Sequence, residues 1–317
     1  MSQSPEHYLL LGAGFSRNWG GWLSSEVNEF LLGDGNLTAN LKEEILCGGG
    51  FEAVLGRLQS SPQEHDNLLK LQSALGVMFL EMNTGLLKRS ENFDDNLKIR
   101  KFLAKFDAIF SLNQDVFLES CYIAPRFDLA INCQGRWESA ARPGLPLMSF
   151  DSQNRYSPKA IPQNSDYLVP QNVQPYFKLH GSSDLLLSNG QDLLIMGSNK
   201  GQQIAEFAIL KKYQGEFKTR LSTGNARLMV IGYSFLDSHI DSIIWDCCKE
   251  NNLKLFVINP LGVDVINQKQ FANLLEPYGK KFRRLIPGLV GASRRNLTEI
   301  FNGDEVEQRK VEGFFVQ

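Results

Sequence analysis

Four short clusters carry residue types that could do chemistry. The first, YLLLGAGFS at 8–16, runs an apolar segment into Gly12, Ala13 and Gly14. Glycines at a strand-to-helix turn let a phosphate approach the backbone, and the helix N-terminus beyond supplies N–H groups and partial positive charge. Arg17 stands where a dinucleotide-binding fingerprint has its third glycine, so this is not the ordinary dehydrogenase motif. The residues alone leave a nucleotide site and a plain tight turn both open. The second cluster, Ser111, Asn113, Gln114 and Asp115, closes the apolar run FDAIFSLN. Polar side chains at a strand's carboxyl end sit where open α/β sheets bind ligands, although Asn and Asp there also cap a following helix, here one beginning near Val116. The third is His180, beside Gly181 at the end of the run from Tyr176, where an imidazole titrating near neutrality could serve as a base or play a structural part. The fourth is GYSFLDSHI at 232–240, which leads through Leu236, Asp237, Ser238 and His239 into a helix.

The elements that must position these clusters follow from periodicity. Apolar runs at Tyr8–Leu11, Phe106–Asn113, Tyr176–Ser182, Asp192–Gly197, Arg227–Phe235 and Lys254–Pro260 read as buried strands. Helical spacing appears after Arg17, throughout 37–100, across Lys200–Thr223 and over Ile240–Glu250. Apolar strands alternating with helices predict an α/β fold with a Rossmann-like, doubly wound, mainly parallel sheet. Gly14, Asn113, His180, Gly232 and Asn259 would then lie along one edge. The 37–100 segment reads as a helical insertion, with His65 in a polar stretch exposed to solvent. Residues 122–176, crowded with Pro, Asn, Gln and Ser, read as an irregular excursion of the kind that forms lids or binding surfaces. Residues 261–317 are expected to form a helical C-terminal extension for packing or oligomerisation. Its basic residues Lys280, Lys281, Arg283, Arg284, Arg294 and Arg295 read first as a solvated face, with a docking surface as the alternative.

Composition bounds the function classes. A chain of 317 residues with 43% hydrophobic content can bury one large core, and a net charge of −2 gives no global pull toward nucleic acid or anionic membrane. No apolar run approaches the roughly 20 residues of a membrane span, and a cytoplasmic location is expected. The five cysteines form no C-x-x-C pair and no zinc-ribbon spacing, so they are expected to be reduced, with some buried.

Taken in order, GAGFS (12–16), LNQD (112–115), KLHGS (178–182), GYSFLDSHI (232–240) and VINP (257–260) resemble the sirtuin-like superfamily, most closely its bacterial branch of NAD hydrolases in antiphage defence. The resemblance spans residues 1–260 as an NAD-binding catalytic domain, apart from the insertion and the excursion. It implies that Gly12, Ala13, Gly14 and Ser16 cradle the diphosphate of NAD, with Gly232, Ser234 and Asn259 along the phosphates and adenosine ribose. It further implies that Asn113 orients the nicotinamide ribose or attacking water, that Asp115 contacts the carboxamide, and that His180 is the general base. NAD would be substrate rather than resident cofactor, and no metal is expected.

Departures from the family also carry information. The zinc ribbon of protein-deacylating sirtuins is missing, the proline that follows the GAG turn is replaced by Gly20, Gly21 and Trp22, and leucine precedes Asn113 where deacylases more often have glutamine. A zinc-free deacylase or ADP-ribosyltransferase, and a non-catalytic NAD or ADP-ribose sensor, stay open as alternatives. A chain that destroys NAD needs restraint, which leads to the expectation of a homo-oligomer with a separately encoded partner such as a HerA-type ATPase or an Argonaute-like protein. Direct binding of nucleic acid or membrane is not expected.

Overall fold

The computed structural model describes residues 4–90, 97–124, 127–145, 160–162, 167–266 and 285–316. Seven parallel strands form the main sheet: β1 (Glu6–Leu11), β2 (Ala108–Ser111), β3 (Ser139–Ala141), β4 (Val173–Lys178), β7 (Ala226–Ile231), β8 (Lys254–Ile258) and β9 (Leu289–Ser293). Their spatial order is β3-β4-β2-β1-β7-β8-β9. Strands added after β1 go first to one side of it and then, from β7 onward, to the other. The order therefore reverses between β1 and β7, the kind of place where open parallel sheets form a crevice.

Alternation along each strand divides two cores. Leu9, Leu11, Ile109, Met229 and Ile231 face one side, and Tyr8, Leu10, Phe110, Leu228 and Val230 face the other. The first face is covered by α2 (Ser24–Leu32), α3 (Ala39–Cys47), α4 (Phe51–Gln59), α5 (His65–Ser90) and α6 (Leu97–Leu103), through Leu31, Leu41, Leu55, Leu75, Met78 and Phe102 among others. The described helices of the 37–100 run thus belong to the layer on this face of the sheet, together with Leu31 of α2 and with Leu297, Ile300 and Phe301 near the C-terminus. His65 is exposed at the start of α5, as its polar surroundings suggest. The second face is covered by α10 (Ala208–Leu221) and α11 (Ser238–Glu250), with α9 (Lys200–Glu206) beside them. Cys121, Cys247 and Cys248 are buried, and all five cysteines are free thiols.

Three elements depart from the sequence-based expectation. Asp192–Leu194 (β6) does not join the parallel sheet but pairs antiparallel with β5 (Gly181–Leu186) as a separate hairpin. Gly181 permits the turn into it: its φ is +75°, and a Cβ would stand 2.0 Å from the Leu193 carbonyl oxygen. The excursion at 122–176, which follows the short helix α7 (Phe117–Cys121), contributes the edge strand β3 and the short helix α8 (Leu129–Asn132). The C-terminal extension contains the expected helices, α12 (Leu297–Asn302) and α13 (Glu305–Glu312), but also the strand β9, so the sheet continues past Pro260. Lys280, Lys281, Arg283 and Arg284 fall outside the described residues, while Arg294 pairs with Asp264 and Arg295 with Asp304. No helix among the described residues is long and apolar enough to cross a membrane.

The loops after β1 and β7 touch backbone to backbone. Gly12 N–H donates to Ile231 O and Gly14 N–H to Gly232 O, both at 2.9 Å. Gly232 has φ +66°, and a Cβ on it would lie 2.4 Å from the backbone of Gly14 and Phe15. Gly232→Ala is therefore expected to cost about 2–4 kcal/mol, from left-handed strain and overpacking together. Gly76→Ala, in α5 with open space around it, is expected to stabilise by about 0.5–1 kcal/mol. Denaturant unfolding of the two variants beside the wild type checks both signs.

Candidate active site at the carboxyl edge of the sheet

Buried Lys178, the last residue of β4, organises the loop after β2. An ammonium has three N–H donors, and Lys178 Nζ directs them to Asn113 O at 3.0 Å, to Asp115 O, and to Glu119 Oε1 at 3.1 Å. Glu119 Oε1 also accepts the Tyr176 hydroxyl, and Arg142 beside it forms a two-pronged pair with Asp184 at 2.9 and 2.7 Å. This fully buried cation pair and its carboxylates shape the loop that presents Asn113, Gln114 and Asp115.

Asn113 Nδ2 donates to Ser16 Oγ at 3.0 Å, and the Ser16 hydroxyl in turn bonds the Asp115 carboxyl. Asp115 Oδ1 also accepts the N–H of Phe117, the first residue of α7, at 3.0 Å, although the N-cap position itself is taken by Val116. Burial pushes the Asp115 carboxyl above its ordinary range, against the pull of Lys178, the Phe117 amide and Ser16. Asn113 is only 8% exposed, and its Oδ1, itself buried, has no partner among the described residues. A buried acceptor without a partner calls for an account, and Asn113 is one of the residues that line a cavity.

That cavity, of about 460 Å³, opens at the crevice between β1 and β7. Its floor is made by Gly12, Ala13, Asn113, Gln114, Asp115, His180, Gly232 and Ser234, and its far wall by the helical layer, including Phe51, Glu52 and Met78. Gly14, Ser16 and Asn259 lie at the same edge but stand behind the cavity wall. The Gly14 amide is taken by Gly232 O, Ser16 holds Asn113, and Asn259 donates to Tyr233 O while accepting the Leu261 N–H. The expected diphosphate cradle is thus partly a brace between two loops.

His180 follows β4 and is 4% exposed. Its carbonyl accepts from Gln114 Nε2 and from the Ile195 amide, which ties the His180 backbone to both the loop after β2 and the hairpin. The ring Nε2 lies 2.9 Å from Nε2 of His239. Burial pushes the His180 imidazole down to about 3, against the pull of Asp237. His239 is lowered by burial too, again opposed by Asp237.

Asp237, Lys200 and Glu52 complete the cluster, with Lys200 Nζ bridging Glu52 Oε2 at 2.7 Å and Asp237 Oδ1 at 2.9 Å. Burial alone would raise the Asp237 carboxyl, but His180 when protonated and Lys200 outweigh it and hold the carboxyl low. Burial alone would lower Lys200, yet Asp237 and Glu52 keep it above the usual lysine range. The loop bearing Asp237 is held by the Tyr233 hydroxyl, which accepts the Asp237 N–H at 3.0 Å, and by Phe235 in the left-handed region at φ +56°. A bulky residue there is uncommon and marks a constrained loop.

Donor atoms of His180, Asp237 and His239 lie within 4.8 Å of one another, a grouping that could hold a divalent cation. Here the Lys200 ammonium occupies one Asp237 oxygen and the two rings bond to each other, which favours a proton-sharing pair over a metal centre. Sequence reasoning gave Lys178, Lys200, Asp237 and His239 no role. The one available signal was that Asp237 and His239 stand within GYSFLDSHI, directly after a strand end.

Comparison with protein-family models finds none that matches the chain, and comparison with curated proteins finds no match. The buried charges generate a test of the architecture. Lys178→Met strips Glu119 and the loop carbonyls of their cation and is expected to cost about 3–5 kcal/mol, whereas Lys178→Met with Glu119→Leu should recover much of that loss. Unfolding free energies of the single and double variants give the coupling directly.

Proposed function

We propose that this cavity hydrolyses the nicotinamide–ribose bond of NAD to nicotinamide and ADP-ribose. The observation that carries the reading is the meeting, in one cavity at the sheet's reversal point, of Asn113, whose buried side-chain oxygen has no partner among the described residues, with His180 and the glycine-lined floor. Each suits a separate demand of the chemistry.

Nicotinamide leaves as a neutral group while the anomeric carbon becomes cationic, so no covalent enzyme nucleophile is required. Asn113 Oδ1 would accept a hydrogen bond from a ribose hydroxyl or the attacking water and so fix its direction, which is a matter of orientation rather than proton transfer. His180, neutral at physiological pH, would take the proton released as water adds. Ala13, Gly232 and Ser234 line the floor where the diphosphate would run, since the Gly12 and Gly14 amides are already bonded within the protein. Asp115, with Ser16, would hold Asn113 and present its carboxyl edge toward the carboxamide.

Uncontrolled NAD loss is lethal, so such an enzyme fits an antiphage effector whose activity waits on homo-oligomer assembly or on a separate partner of the HerA-type ATPase or Argonaute-like kind. The alternatives separate by product. A deacylase would require an acylated peptide to release nicotinamide, an ADP-ribosyltransferase would label an acceptor, and a sensor would bind NAD without turnover.

The test is release of nicotinamide and ADP-ribose from NAD by the purified protein across a range of protein concentrations. Asn113→Ala and His180→Ala are each expected to lower the rate roughly 10²- to 10⁴-fold while leaving the fold intact. Tight binding without release under every condition would favour the sensor, and absence of NAD binding would overturn the reading.

A further inference from the structure

A second cavity, of about 750 Å³, adjoins the first, and the two share Ser24, Phe51, Glu52, Lys200, Ser234, Leu236 and Asp237 in their walls. The histidine pair divides between them. His180 lines the first cavity and not the second, and His239 lines the second and not the first. Their Nε2 atoms meet at 2.9 Å between the two spaces.

The stoichiometry of the proposed reaction makes that contact useful. Adding water to NAD gives ADP-ribose, nicotinamide and one proton. The C–N bond to nicotinamide breaks with its electron pair leaving on the nicotinamide nitrogen, the water oxygen bonds the anomeric carbon, and the water's proton must go to a base. A lone imidazole buried to the extent of His180 is a poor place for that charge, because desolvation disfavours the imidazolium.

We propose that His239 is the second half of this base, a positioning residue that acts through His180 by sharing the proton His180 removes. The inference rests on the NAD-hydrolase reading. With the His180 Nε2–H donated to His239 Nε2, His180 Nδ1 is the nitrogen left to take the proton. The resulting positive charge spreads across the Nε2–Nε2 bond and faces the Asp237 carboxylate. When products leave, the pair returns its proton to entering water, which restores both neutral rings. Asp237 favours the charged state of the pair, Lys200 opposes it, Glu52, bonded to Lys200, offsets part of that opposition, and repulsion between the two rings when both are charged limits the pair to a single proton.

The experiment is made on the full-length protein with His239→Ala. Its kcat for nicotinamide release is expected to fall roughly 10- to 100-fold with KM little changed. The acidic limb of its pH profile is expected to move to lower pH, because losing a neutral hydrogen-bond acceptor makes the His180 cation harder to form. Added imidazole, entering through the second cavity, should restore part of the rate in His239→Ala and none in His180→Ala. Independently of turnover, nitrogen-15 NMR of the histidine rings should show a protected Nε2–H signal in the wild type that is absent in His239→Ala.

Several results would overturn the proposal. Unchanged kcat and pH profile in a folded His239→Ala variant would remove His239 from the chemistry while leaving the hydrolase reading in place. Loss of wild-type activity on chelation, restored by zinc, would mean that the cluster works as a metal site. No nicotinamide release from the wild type, alone or assembled, would remove the reading on which the pair's role depends, even with the NMR signal present.

Discussion

The site depends on one buried cation. Lys178 is removed from water at the end of β4, an interior strand next to the sheet edge, and an ammonium in that position is tolerated only if each of its three donors finds an acceptor. The acceptors are two carbonyls of the loop after β2 and the carboxylate of Glu119. Satisfying Lys178 therefore dictates the path of Asn113–Asp115, and the orientation of the Asn113 amide follows from that path and from Ser16. A charge that contributes little net stability thereby sets the geometry of the cavity floor.

A second constraint acts at the reversal point of the sheet. Gly12, Gly14 and Gly232 let the loops after β1 and β7 bond each other through their backbones, which no side chain at those positions would permit. The glycines so often associated with phosphate approach here serve first to bring two loops together, and the floor of the cavity is the surface that results. The opposite wall comes from the helical layer, where Glu52 reaches Lys200 and, through it, Asp237. The cleft is thus closed by ion pairs between the helical layer and the sheet's own loops, while the His180–His239 contact stands at the boundary of its two compartments.

Strands β1, β2, β4, β7 and β8 were legible because each is built on a short, largely apolar run bounded by polar or glycine-rich turns. The same signal could not tell that Asp192–Leu194 folds back on Gly181–Leu186, since an apolar run carries no information on the direction of its partner. Nor could it find β9, whose Leu289–Ser293 is partly exposed at the sheet edge and so only weakly apolar. Among the site residues, those at strand ends were recognisable by position: Asn113, Asp115 and His180 all reach the cavity. Ser16, Gly14 and Asn259 share that position but bond other loop residues instead of lining the cavity, a distinction that depends on which tertiary partners their side chains or, for Gly14, its amide meet.

By itself, the sequence determined the α/β alternation, the strand-end clusters and the edge on which they gather, because hydrophobic period and turn residues act over a few neighbours in the chain. Only the tertiary structure decided which of those clusters touch. The Lys178–Glu119 contact joins residues 59 positions apart, as the His180–His239 contact also does, and Lys200 reaches Glu52 across the chain from one layer to another. Such pairings depend on strand order and on which helix covers which face. The physical reason is that burial makes partners of charges and polar groups that local pattern leaves independent, so their chemistry exists only once the layers have closed around them.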